Sequence, residues 1–177
     1  AAGTIQLTTN PIDINNNFTN SAGTFTTNNL NMTVGKDWNN DPAATFTAGT
    51  STVTFDGANQ SILGSTTFYN FSKITTSADN LYFSANNTDL QLVTHSFTMQ
   101  GAAGNILTIE KTGPNAQANI RLQAGGAQLF TYLDVYNSNA SGGNLLIGRT
   151  GSTNGGNNTN WVFGNTTITW DGSDDTD

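Results

Sequence analysis

The chain has 177 residues, a formal net charge of −7 and charged side chains at only 10% of its positions. Its five basic residues stand singly, so there is no basic patch to neutralise phosphates, and nucleic acid and anionic membrane surfaces are disfavoured as partners. Cysteine is absent, which excludes disulfides and thiolate metal sites. No apolar run approaches the ~20 residues needed to span a bilayer, so membrane insertion is not expected.

Threonine, asparagine and glycine dominate the composition, with 30, 26 and 19 residues respectively. Threonine favours strands, whereas asparagine and glycine favour turns. Hydrophobic residues make up 35% of the chain and recur at short intervals, as a packed sheet requires and a disordered tract lacks. The composition therefore predicts an all-β domain with many turns.

Short alternating segments follow one another from the start of the chain. T-I-Q-L-T and P-I-D-I come first, broken at Asn10-Pro11, where proline removes a ladder donor. No window keeps the helical spacing of apolar residues over ten or more positions, so essentially no helix is predicted. Later alternating segments lie at residues 81–83, 90–92, 120–122, 133–135, 145–147 and 161–163.

Two of the segments repeat at a fixed offset in the sequence. Residues 24–26 and 32–34 match residues 45–47 and 53–55 at an offset of 21. Two further copies are assigned, one at residues 96–109 and a partial one at residues 167–172. A fixed period of this size is typical of solenoids.

The repeat predicts a right-handed parallel β-helix, or β-solenoid, of about seven short coils with 2 or 3 strands each. Phe25 is expected to stack on Phe46 in the core, and Val34 and Phe55 belong to the same core stack. An antiparallel β-sandwich is the alternative fold, because Asp-Gly turns at residues 56–57 and 171–172 also suit hairpins.

The run W-N-N-D-P-A-A-T-F-T-A-G-T-S-T-V-T-F-D-G at the start of residues 38–71 resembles the repeats of large bacterial surface and secreted proteins. These repeats are predicted to be right-handed parallel β-helices, of the filamentous-haemagglutinin and autotransporter-passenger type. Residues 132–163 look like the closing coils of such modules. The resemblance implies an extracellular, multi-module protein with an adhesive or structural role. Residues 1–165 are then one solenoid module, and residues 166–177 begin a linker or a following module.

One strand offers a candidate ligand-binding face. Tyr132, Asp134 and Tyr136 share a parity, so a regular strand points all three outward. Leu133 and Val135 then point into the core. Exposed tyrosines beside a carboxylate suit a glycan ligand.

Acidic residues give the remaining candidates. Asp171, Asp174 and Asp175 form a weak calcium candidate, although their spacing departs from a calcium-binding loop and an acidic linker is favoured. Asp79 and Asp89 are candidates for a glycosidase pair across a coil, and acids that keep the surface soluble are the favoured interpretation. No cofactor is expected beyond possible calcium.

The sequence leads to the hypothesis of a non-catalytic extracellular module, a stalk, spacer or adhesive segment of a larger bacterial surface protein or filament. Its expected partners are other modules of the same protein, further copies in head-to-tail association, and glycans. A carbohydrate-binding module or a polysaccharide lyase that uses Arg121 or Arg149 is one alternative. An ice-binding protein with a threonine array that includes Thr24 and Thr45 is another.

Overall fold

The computed structural model describes residues 3–86 and 88–164. All twenty secondary-structure elements in these residues are β-strands. Most strands are short, and their side chains alternate between buried and solvent-facing positions. The same residues include no helix that could cross a membrane. The twenty strands are β1 (Thr4–Gln6), β2 (Ile12–Ile14), β3 (Phe18–Asn20), β4 (Gly23–Thr26), β5 (Met32–Val34), β6 (Trp38–Asn40), β7 (Ala44–Thr47), β8 (Thr52–Phe55), β9 (Gln60–Gly64), β10 (Thr66–Ile74), β11 (Asp79–Ser84), β12 (Leu90–Gln100), β13 (Leu107–Thr112), β14 (Ala118–Leu122), β15 (Ala127–Thr131), β16 (Leu133–Tyr136), β17 (Ser138–Asn139), β18 (Leu146–Gly148), β19 (Thr153–Gly156) and β20 (Trp161–Phe163).

The strands wind into stacked coils with three faces. Face 1 contains β1, β4 and β7, the first parts of β10 and β12, then β14 and β17. Face 2 contains β2, β5 and β8, the second parts of β10 and β12, then β15, β18 and β20. Face 3 contains β3, β6, β9, β11, β13, β16 and β19. The described chain completes seven coils and begins an eighth.

All pairings between these strands are parallel. The one antiparallel bridge in residues 3–86 and 88–164 is isolated, between Ala102 and Asn105. A sandwich built from hairpins requires antiparallel neighbours. The chain is therefore a parallel β-helix, and the alternative of an antiparallel sandwich is excluded.

The core begins with the residues that repeat in the sequence. Phe25 pairs with Phe46 across β4 and β7, and their rings stack with centroids 6.2 Å apart and an interplanar angle of 17°. Val34 pairs with Phe55 across β5 and β8, and both side chains are completely buried. The offset of 21 residues is thus the register between the second and third coils on faces 1 and 2, whereas on face 3 Trp38 pairs with Ile62.

The copy assigned to residues 96–109 is aligned with the wrong face. Residues 96–98 lie on face 2, where Phe97 pairs with Phe71, whereas residues 24–26 lie on face 1. The strand β12 passes from face 1 to face 2 without a break, and its pairing with β10 shifts register between Phe68 and Asn70. All faces share the same alternation, so the pattern alone does not tell one face from the next. The copy at residues 167–172 lies outside the described residues.

Asparagines stabilise the corners between faces. Asn29 has a φ of 67°, and its side-chain oxygen accepts a hydrogen bond of 2.9 Å from the Thr50 amide of the next coil. At a buried corner, Asn20 Nδ2 donates to Asn40 Oδ1 over 2.9 Å. Asparagine tolerates the left-handed backbone that tight corners need. Its abundance therefore follows from the repeated corners.

Candidate functional site

The described coils have open faces and no pocket. They also contain no group of three or more His, Cys, Asp or Glu side chains that could hold a metal ion. The calcium candidate Asp171, Asp174 and Asp175 lies outside the described residues. Two clusters with defined geometry remain, one on the surface around Asp134 and one buried around Lys73.

The surface cluster begins at an unusual corner. Seven non-glycine residues of the described chain have positive φ, and six of them are asparagines. The seventh is Tyr132, with a φ of 53°. A left-handed backbone is costly for an aromatic residue and persists only where its surroundings enforce it. Tyr132 therefore lies at a corner before β16 and not within a regular strand. The strand alternation gives the outward direction of the Asp134 and Tyr136 side chains, but it does not give that of Tyr132.

Glycines in the next coil make room for both tyrosine rings. The Tyr132 ring occupies the space that a side chain at position 151 would need, and the Tyr136 ring does the same at position 155. Between β16 and β19, Val135 pairs with Asn154 and Tyr136 with Gly156, so Gly155 is the extra residue of a bulge. Each ring therefore packs on glycine backbone and remains partly exposed to solvent.

Asp134 lies between the two tyrosines and is hydrogen-bonded through both oxygens. Tyr136 Oη donates to Asp134 Oδ2 over 2.8 Å, and Thr153 Oγ1 donates to Asp134 Oδ1 over 2.8 Å. Asp134 raises the pKa of the Tyr136 phenol above its ordinary value, because the carboxylate accepts its hydrogen bond and disfavours the negative phenolate. Leu133 and Val135 are completely buried, as the predicted alternation requires. We call Tyr132, Asp134 and Tyr136, with Gly151 and Gly155, the tyrosine face.

The surface beside the tyrosine face is also acidic and aromatic. Tyr82 pairs with Glu110 on face 3, and Ile109 pairs with Val135, which places Glu110 beside Tyr136 in the next coil. Glu110 Oε1 accepts a hydrogen bond of 2.7 Å from Asn137 Nδ2. The two carboxylates, Asp134 and Glu110, make this part of face 3 negatively charged at neutral pH.

The buried cluster contains an ion pair that the sequence analysis missed. Lys73 Nζ lies 2.7 Å from Asp79 Oδ2, with side chains 0% and 4% exposed. The ammonium also donates to Gln60 Oε1 over 3.0 Å and to the Gly57 carbonyl. The other oxygen, Asp79 Oδ1, accepts bonds from the amides of Asn59 and Asn80 at 2.6 and 2.7 Å.

Each polar atom of this pair has a partner, which is the condition for keeping charges inside a fold. Lys73 donates to three acceptors, so the geometry holds it as an ammonium ion and not as a free amine nucleophile. Gln60 Nε2 continues the network to the carbonyls of Val34 and Lys36, at 2.8 and 2.6 Å. The cluster therefore connects three successive coils and has a structural role.

The other candidate residues named in the sequence already have partners in the fold. Asp79 belongs to the buried ion pair, and Asp89 accepts a 2.5 Å hydrogen bond from Ser84. His95 is exposed and stacks on Tyr69, with ring centroids 4.6 Å apart.

The threonine array of the ice-binding hypothesis covers only part of face 1. Thr4 pairs with Thr24, and Thr24 with Thr45. Later coils of the same face carry Leu92 opposite Thr67 and then Arg121 opposite Leu92. The array therefore ends at the fourth coil.

Comparison of the chain with protein-family models, curated proteins and solved structures found no match.

Proposed function

We propose that this chain is a non-catalytic structural or adhesive module, a rigid spacer of a larger bacterial cell-surface protein. The observation that supports the proposal is the stacking of seven coils, with parallel ladders that are continuous on faces 2 and 3 and broken once on face 1, between β7 and β10. Force along the axis is shared by the continuous ladders of faces 2 and 3 and by the corner hydrogen bonds. The tyrosine face gives the same rod an outward surface for adhesion.

Localisation tests this role directly. An antibody raised against the chain is applied to intact and to permeabilised cells of the source organism. We expect the antibody to label intact cells, and we expect this labelling to be lost when a protease is added outside the cells. Labelling that requires permeabilisation would overturn the extracellular assignment. Release of unsaturated uronic products from polysaccharides by the purified chain would overturn the non-catalytic one.

The proposed partners include further copies in head-to-tail association. In the described chain β1 lies at the edge of face 1, and the side chain of its central residue, Ile5, is 66% exposed. Unpaired strand edges are templates for pairing with other strands. A parallel coil placed against β1 would cover Ile5 and extend the ladder.

Sedimentation velocity over a wide concentration range tests this association. The sedimentation coefficient should rise with concentration, and Ile5→Lys should suppress the rise because a charge at a strand edge opposes pairing. Thr67→Lys is the matched control, since Thr67 is exposed on the same face away from that edge. A strictly monomeric species at all concentrations would contradict the association.

A further inference from the structure

We propose that the tyrosine face binds a neutral polysaccharide, with the rings of Tyr132 and Tyr136 as platforms for sugar rings and Asp134 as the acceptor for sugar hydroxyls between them. The inference rests on the adhesive part of the proposed function and names the class of ligand. It is independent of the head-to-tail association.

The backbone strain at Tyr132 is the first observation in favour. Asparagine occupies all the other non-glycine positions with positive φ in the described chain, and it adopts this conformation at little cost. Tyrosine at position 132 adopts the same left-handed backbone at a higher conformational cost than asparagine. Strain of this kind accumulates at ligand-binding sites, where an aromatic side chain has to be held in one orientation.

The glycine positions are the second observation. A Cβ at position 151 or 155 would overlap the ring of Tyr132 or Tyr136. Because the glycine backbone supports each ring, the rings are positioned before any ligand arrives, and little side-chain freedom is lost on binding. Tyr132 directly precedes β16 and Tyr136 is its last residue, so their Cα atoms are at most roughly 13 Å apart at ~3.3 Å per residue. A chain of several sugar residues spans such a distance, whereas a single sugar does not.

The polar groups on the tyrosine face indicate which glycans fit. Each Asp134 oxygen accepts one hydrogen bond from the protein, and a carboxylate oxygen has a second acceptor position for a sugar hydroxyl. Asp134 and Glu110 together repel uronic acids and sulfated sugars. An aromatic face attracts the polarised C–H groups of a pyranose, and this contact needs no charge on the sugar. These features favour neutral chains over acidic ones.

Isothermal titration calorimetry of the full chain tests the proposal with three soluble neutral polysaccharides: a β-1,3-glucan, a xyloglucan and a galactomannan. A polyuronate, alginate, is the charged comparison. Saturable binding of at least one neutral polymer, without binding of alginate, is the expected result. Binding of none of the three, or tighter binding of alginate, would overturn the proposal.

The decisive variant is Tyr132→Asn. Asparagine accepts the left-handed backbone, so the fold is retained or stabilised while the platform is lost. We expect the affinity to fall by at least about tenfold, as for the loss of a central aromatic contact. Unchanged affinity would show that Tyr132 only packs on Gly151.

Two further variants complete the test. Tyr136→Ala should weaken binding by a similar factor. Tyr69→Ala removes a tyrosine on another side of the coil and should leave binding unchanged, and its urea midpoint controls for general loss of structure. An equal loss of affinity in Tyr69→Ala would place the binding elsewhere. The labelling of intact cells is unaffected by any of these outcomes, so failure of this inference and failure of the proposed function are distinguishable.

Discussion

Lys73 Nζ contacts Asp79 Oδ2 at 2.7 Å inside the coil, where Met99 of the next coil pairs with Lys73. Replacement of Lys73 by methionine removes the ammonium and leaves the Asp79 carboxylate buried without its counter-charge. Loss of one partner of a buried pair costs about 3–5 kcal/mol. We expect Lys73→Met to lower the free energy of unfolding by this amount, measured by urea denaturation.

Lys36→Met is the matched control, because Lys36 is exposed. Its effect should be within about 0.5 kcal/mol. The double variant Lys73→Met/Asp79→Asn should be less destabilised than the sum of the two single variants, since both charges are removed together. Equal effects of Lys73→Met and Lys36→Met would show that the ion pair contributes little.

The stacked pair of Phe25 and Phe46 leads to a second prediction. The Phe46 ring contacts Phe25 at 6.2 Å and Trp38 at 4.8 Å between centroids. Phe46→Ala opens a cavity at this junction and should cost about 3–5 kcal/mol, also by urea denaturation. Its exposed neighbour Thr45 provides the control, and Thr45→Ala should change stability by less than about 0.5 kcal/mol. A small effect of Phe46→Ala would mean that the coils repack around the gap.

The stacking of the second and third coils could be predicted because two successive strands repeat at the same offset. Phe25 and Phe46 occupy equivalent positions 21 residues apart, and the pairing of the strands follows that offset. The prediction that residues 96–98 repeat residues 24–26 is wrong, because β10 and β12 pass around a corner without an intervening turn. Without a turn residue, nothing in the sequence marks the change of face.

The site residues were predictable only in part. The alternation within β16 correctly places Asp134 outward and Leu133 and Val135 in the core. The left-handed backbone of Tyr132 has no sequence signal, since tyrosine rarely adopts it. The burial of Lys73 did have one, because Lys73 stands two residues after Phe71 and shares its inward parity. Its ion partner Asp79 is brought near only by the turn into face 3.

The corner asparagines give a third prediction. Asn29 has a φ of 67° and accepts the Thr50 amide hydrogen bond. Asn29→Gly loses the hydrogen bond but keeps an easy left-handed backbone, whereas Asn29→Ala loses the bond and adds strain. The Asn29→Ala variant should therefore be less stable than the Asn29→Gly variant by about 1 kcal/mol in urea unfolding.

Asn39 provides the opposite case within a strand. It lies in β6, where the backbone is extended, and glycine weakens strand interiors. Asn39→Gly should be less stable than Asn39→Ala. The same order of stability at both positions would contradict the assignment of Asn29 as a conformational corner residue.

The hydrogen bond between Tyr136 and Asp134 gives a prediction about pH. Asp134 and, more weakly, Glu110 raise the pKa of the Tyr136 phenol in the folded chain. A group whose pKa is raised by folding adds stability below its unfolded pKa, and this contribution is lost as pH rises through the folded pKa.

The difference in absorbance near 295 nm between the chain and its Tyr136→Phe variant isolates this phenol. Its titration should lie above the ordinary value of ~10, and Asp134→Asn should lower it, because the amide still accepts the hydrogen bond but carries no charge. Thr153→Val is the control that removes the other hydrogen bond to Asp134 and keeps the charge, so Tyr136 should still titrate above the ordinary value. An unchanged titration in Asp134→Asn would contradict the effect of the Asp134 charge on the Tyr136 phenol.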